Sequence, residues 1–312
     1  MASKRITDNS FVLCIHMTIK HLVLSGGAIV GFAFFGTLQT LIESNQLDID
    51  DIETIHATSV GTLVAVCITL GYDLNVLKTY LMDRPWKDLY KIDFNSIVRA
   101  VKEGGMFGRL EILKTVEPLL LGKDISVDIT LEEFHEFNKK EIHFYSTKYD
   151  SLELVDISHK THPTWKLIDA MFASSCLPVL FIPLQYENHY YIDGAIVMNY
   201  PLRCCLDQGH DAKTILGLDN SDLTEINKTK SKPFATPASS YKLLEYIISL
   251  SLKLWTSVKK EPTLAEKEAP NQIFIRCPAD PISIFNAFDT KEERLRLYQA
   301  GKDAAISFIE KQ

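Results

Sequence analysis

Two short apolar runs, each ended by a turn of small residues and followed by a long apolar stretch, constrain what this chain can fold into. Leu22-Val23-Leu24 reads as a fully buried strand of the kind used in parallel sheets. Ser25-Gly26-Gly27 breaks it, and Ala28 to Glu43 continues as a helix of small and apolar residues. Glu53 to Ala57 is a second strand and Val60 to Leu70 a second helix, with Gly71 placed to end it. Strand, turn and helix twice within about 50 residues is the rhythm of a parallel sheet with crossover helices. His21 to Ile42 contains no Asp, Glu, Lys or Arg, a run long enough to span a bilayer. Four glycines and the polar His21, Ser25, Thr37, Gln39 and Thr40 interrupt it, so a buried strand, turn and helix explain it better.

The same reading carries along the chain. Residues 73–121 look mostly helical, punctuated by Gly104-Gly105 and Gly108. Thr130 and Glu133 form a capping box that opens a short helix. Ile142 to Thr147 and Leu152 to Val155 are strands joined by a turn, and Thr164 to Ala173 is a helix. Val179 to Ile182, Tyr190 to Ile192, Thr214 to Leu218 and Gln272 to Arg276 are further strands, and Lys291 to Lys311 is a last helix. Asp219 to Ser240 reads as a long polar loop, and Tyr241 to Lys260 as an amphipathic helix with Trp255 and four lysines, suited either to core packing or to a membrane interface. No repeat or linker interrupts this order. The expectation is a poorly ordered leader over 1–19 and one α/β domain over 20–312, with a helical cover at about 72–121.

Composition narrows the function. Hydrophobic residues at 46% and charged residues at 23% exclude a disordered chain, a collagen and a coiled coil. The 33 basic residues against 40 acidic ones give a net charge of −7, which offers no global basic footprint for nucleic acid. Six cysteines without a C-x-x-C pair read as reduced thiols, and no export segment is evident, so a cytoplasmic protein is expected.

Three segments carry candidate chemistry. Ser25-Gly26-Gly27-Ala28-Ile29-Val30-Gly31 places glycines between a strand and a helix N-terminus, where free N–H groups suit a phosphate or an oxyanion. Its spacing is not the G-x-G-x-x-G of dinucleotide binding, which argues against a nicotinamide oxidoreductase. Ala57-Thr58-Ser59-Val60-Gly61 approximates a nucleophile elbow, although a simple serine N-cap also accounts for Ser59. Successive β–α turns open at the same sheet edge, so one can supply a nucleophile and the other amide donors for acyl transfer. No histidine has a catalytic motif around it. Asp193, in Tyr191-Ile192-Asp193-Gly194-Ala195, follows a strand directly and is the better candidate base, although an Asp-Gly turn is the ordinary reading.

With these segments the chain resembles the patatin-like phospholipase family. The likeness rests on Leu24 to Gly31, on Ala57 to Gly61, on Ala173-Ser174-Ser175-Cys176-Leu177-Pro178 and on Asp193-Gly194-Ala195 with Asn199 and Pro201 following, in the family's order and intervals. It extends over about residues 20–310. It implies a three-layer fold with a mainly parallel sheet, and lipid acyl hydrolysis by a Ser59–Asp193 dyad. It also implies an oxyanion hole from Gly26, Gly27 and Ala28, and an elbow supported by Thr58, Gly61, Gly31 and Gly194. No metal or other cofactor is implied, and the partners are a lipid substrate and, transiently, a membrane surface. A dyad without histidine implies no necessary rate inflection near the histidine reference of about pH 6.5. The chain departs from the family at Ala28 and Ala57, where glycine is usual, and at Val30, where a basic residue is common. Those departures keep a second reading open, a weakly active or inactive lipid-binding protein on the same scaffold. Trp86, Tyr90, Met106 and Phe107 are the expected cover contacts.

Overall fold

The computed structural model describes residues 18–220, 269–277 and 281–312. The buried strands predicted from the apolar runs assemble a mixed, mainly parallel sheet flanked by helices. Strands β1 (His21–Leu24) and β2 (Thr54–Thr58) lie side by side in parallel, each followed by a helix, α1 (Val30–Glu43) and α2 (Val60–Thr69). The segment 73–121 folds as α3 (Leu74–Asp83), α4 (Trp86–Leu89), α5 (Phe94–Glu103), β3 (Gly105–Phe107) and α6 (Arg109–Leu121). The predicted capping box opens α7 (Leu131–Asn138): Thr130 Oγ1 accepts from Glu133 N–H, and Glu133 Oε2 accepts from Thr130 N–H at 2.8 Å.

The chain then forms β4 (Glu141–Lys148), β5 (Glu153–Ile157), α8 (Leu167–Ser175), β6 (Val179–Phe181), β7 (Leu184–Tyr186) and β8 (His189–Asp193). A short helix, α9 (Leu202–Asp207), precedes β9 (Ile215–Asn220). The described remainder holds β10 (Asn271–Ile275), α10 (Pro281–Asp289) and α11 (Lys291–Ile309). The main sheet runs β10-β9-β1-β2-β4-β8-β7. Its first five strands are parallel, and β5, β7 and β8 add antiparallel pairs.

Alternation along the strands divides the two faces. Leu22, Leu24, Ile55, Ala57 and Phe144 join the large core with α1, α2, α8 and α11. Val23 faces the other way, toward Leu202 and Cys205 of α9. Helix α11 lies against α1 so closely that a Cβ on Gly301 would stand 1.9 Å from the Ala33 carbonyl oxygen, and one on Gly36 would stand 2.2 Å from that of Tyr298. The Thr37 hydroxyl, donating to Gly301 O at 2.9 Å, ties the same crossing. Gly301→Ala is therefore expected to lower stability by about 1–3 kcal/mol through overpacking, read as a fall in the denaturation midpoint at unchanged m-value.

Several elements differ from the sequence reading. Strand β3 lies inside the segment read as mostly helical and pairs in parallel with β6 as a separate two-stranded sheet. Strand β7 and helices α9 and α10 had no counterpart in the pattern. Asp219 and Asn220, read as the start of a loop, belong to β9. The rest of that loop and the amphipathic helix Tyr241 to Lys260 lie outside the described residues. So does the leader up to residue 17, whereas Ile19 is buried in the core. Among the described residues no helix is long and apolar enough to cross a membrane.

Candidate active site

The fold brings Ser59 and Asp193 together. Ser59 sits at the sharp turn from β2 into α2 with φ 53° and ψ −125°, a conformation that non-glycine residues rarely adopt. It occupies the N-cap position, yet its hydroxyl makes no capping bond. It donates instead to Asp193 Oδ2 at 2.7 Å. The simple N-cap reading of this serine is thereby set aside. The turn is held from two sides: Ser59 N–H donates to Ser174 Oγ at 3.0 Å, and Thr62 Oγ1 donates to Ser59 O at 2.7 Å. Ser174 in turn donates to the Tyr145 carbonyl. The Ala-Ser-x-x-x-Pro segment thus has a local job, which its sequence alone did not reveal: its serine clamps the elbow.

Asp193 ends β8, at the edge where β8 pairs with β4. It is only 2% exposed. Its Oδ1 accepts from Ala195 N–H at 2.8 Å, and among the described residues no cation stands within salt-bridge distance. Burial pushes the carboxyl up to about 7, against the smaller opposing effects of the Ala195 amide and the Ser59 hydroxyl. Gly194 follows where a Cβ would lie 2.1 Å from the Tyr145 carbonyl oxygen, so only glycine lets β8 turn this close to β4. No histidine among the described residues hydrogen-bonds Ser59 or Asp193. His56, three residues before Ser59, points its Nδ1 to Tyr145 Oη at 2.7 Å.

The three amides of the glycine turn are not equivalent. Gly26 N–H donates to the Asn199 carbonyl at 3.1 Å, and Gly26 does not line the cavity beside Ser59. Gly27 and Ala28 do line it, and their N–H groups have no acceptor among the described residues. The oxyanion assignment of Gly26 is therefore corrected: its amide is already committed, and Asn199 also holds its carbonyl through Nδ2 at 3.3 Å. Gly31 and Gly61 serve close approach, to Val60 and to the Leu24 carbonyl respectively. Thr58 donates to Met198 O at 3.1 Å and anchors the strand end.

The two alanine departures also separate. Ala28 has φ 48°, the left-handed region that glycine adopts freely. Ala57 lies within β2, fully buried, and its φ is not positive, so glycine is not required there.

An apolar cavity of about 170 Å³ is lined by Ser59, Asp193, Gly27 and Ala28 together with Phe32, Phe35, Met171 and Phe181. From the segment 72–121, Trp86, Tyr90 and Phe107 also line it. Met106 does not; it is buried beside Ala195.

Comparisons with known proteins bear on the family and the fold. A sequence-family model described as patatin-like phospholipase matches residues 22–205. A probable lipid hydrolase of Invertebrate iridescent virus 6 is 27% identical over 185 residues, 59% of this chain and 62% of that protein, so the match spans less than two thirds of the relative. An uncharacterized protein of Acanthamoeba polyphaga mimivirus is 24% identical over 283 residues, covering 91% of each chain. The fold matches that of VipD from Legionella pneumophila with a TM-score of 0.56 and 18% identity, over 94% of this chain and 67% of that one.

Proposed function

The chain belongs to the patatin-like phospholipase family, whose lipid hydrolase activity it is taken to share, and on that premise we propose that it hydrolyses carboxylic esters of phospholipids through a Ser59–Asp193 dyad. The observation that carries the reading is the 2.7 Å hydrogen bond from Ser59 Oγ to a buried carboxylate beside an apolar cavity. Ser59 Oγ attacks the ester carbonyl while Asp193 Oδ2 takes its proton. The Gly27 and Ala28 amides, which lead into α1, and the N-terminus of α2, which follows Ser59, stabilise the oxyanion. Asp193 passes its proton to the leaving lysolipid oxygen. It then accepts a proton from the water that attacks the acyl-enzyme, releasing the fatty acid and restoring Ser59. The apolar cavity suits the acyl chain.

The route from bilayer to cavity is carried by α5. Its Phe94 is 73% exposed and its Val101 85% exposed, seven residues apart and so on one helical face. The neighbouring Tyr90 and Phe107 line the cavity, and Lys91 and Lys102 supply positive charge near the patch. Such a helix lies in the headgroup region with its apolar face down.

The test compares two substrates. The wild type releases fatty acid from phospholipid vesicles and also hydrolyses a soluble short-chain ester. Phe94→Asp/Val101→Asp is expected to lose at least about tenfold on vesicles, as two apolar anchors leave the interface, with the soluble rate unchanged. Equal loss on both substrates would remove α5 from the docking surface. Absence of fatty-acid release by the folded wild type would favour the lipid-binding alternative.

A further inference from the structure

The sheet face opposite the cavity carries side chains for which hydrolysis has no use. His21, His56 and His143 project from β1, β2 and β4 on this face, and Cys205 of α9 packs over it. Their nitrogens differ in how they are engaged. His143 is bound on both sides, Nδ1 to Asp156 at 2.8 Å and Nε2 to Glu141 at 3.0 Å. His21 Nδ1 meets Thr54 Oγ1 at 2.8 Å, and its ring stacks on His210 at 3.8 Å. His56 is fully buried, and with Nδ1 held by Tyr145 its Nε2 has no hydrogen-bond partner among the described residues. A buried imidazole nitrogen left bare is costly unless something else occupies it.

The occupant is indicated by what stands nearby. One ligand atom each from His56, Cys205 and His210 all lie within 4.8 Å of one another. We infer that His56, Cys205 and His210 form a zinc-binding site on the face of the sheet away from the cavity. Two imidazoles and one thiolate are ligands that zinc favours, and its tetrahedral preference leaves a fourth position for water. Tyr145, on His56 Nδ1, is the outer partner that orients a metal-binding histidine. Binding displaces the Cys205 thiol proton: the S–H bond breaks, the Zn–S bond forms, and one proton leaves to solvent. His210 is only half-buried, which gives the ion a path in. The bound ion would pin α9 and the turn after it to β2, the strand that ends at Ser59.

The test uses the whole chain, stripped of metal by a chelator and titrated with zinc alone. The expected result is one equivalent bound and a rise in Tm that tracks zinc concentration. Cobalt(II) in its place gives a thiolate-to-metal charge-transfer band in the near ultraviolet. Cys205→Ser abolishes that band, and His210→Ala, at a half-exposed position expected to fold, weakens zinc binding by about 100-fold or more, as loss of a coordinating residue should. Three results would each overturn the site: no zinc uptake by the folded wild type, a charge-transfer band that survives in Cys205→Ser, or zinc affinity and Tm rise unchanged in His210→Ala.

Discussion

Ser59→Ala is expected to lower turnover of a soluble ester by about 10⁴–10⁶-fold, the range seen when a covalent nucleophile is removed from a working set of catalytic groups. The loss falls on kcat, because Ser59 contributes a bond made only after substrate is bound. The fold should survive. Alanine keeps the backbone path of the elbow, and the clamps on it act through the Ser59 amide and carbonyl, which the substitution leaves in place. Residual rate comparable to wild type in a folded Ser59→Ala protein would mean that another group is the nucleophile.

Asp193→Asn is expected to lower kcat by about 10²–10⁴-fold, the usual contribution of a positioned general base. It also separates activity from stability. With its carboxyl pushed up to about 7 by burial, Asp193 is protonated in the folded protein well above the pH at which it ionises in the unfolded chain. Its contribution to stability is therefore full below about pH 4, the unfolded carboxyl range, and is lost as pH rises through about 7. The carboxamide introduced by Asp193→Asn carries no charge at any pH and keeps an acceptor for the Ala195 amide. The Tm of Asp193→Asn should exceed that of the wild type at pH 8, and the gap should narrow at pH 5 and close only below about pH 4.

Activity runs in the opposite sense, because only the ionised carboxylate accepts a proton. The wild-type rate should rise through about pH 7, an inflection in the histidine range that has no histidine behind it. This revises the expectation, drawn from a dyad lacking histidine, that no inflection need occur there. Carboxyl ionisation carries little enthalpy and imidazole ionisation much more, so an inflection that stays fixed on warming identifies Asp193. A shift in pH with temperature would point to an imidazole instead.

Much of this was legible because the first two β–α units are written locally: apolar runs, small-residue turns and apolar helices follow one another without interruption. The strands that escaped notice, β3 and β7, have three residues each, too few for a period to develop. Strand β3 exists because Gly105 lets its backbone meet Phe181, a partner far along the chain.

Motif order placed Ser59 and Asp193 in one site although 134 residues separate them. Choosing among the glycine-turn amides needed a tertiary fact, since Gly26 is occupied by Asn199, 173 residues away. The two alanines looked alike in sequence, yet only Ala28 adopts the conformation that favours glycine. The His56, Cys205 and His210 cluster has no ligand spacing to read, because sheet register and α9 bring its members together.

Labelling with a fluorophosphonate, followed by peptide mapping, reads the nucleophile itself. The expected result is a single adduct on Ser59 in the wild type, none in Ser59→Ala, and labelling in Asp193→Asn slowed in proportion to its loss of turnover. A folded wild type that takes no label in the presence of phospholipid vesicles, or an adduct on a residue other than Ser59, would contradict it.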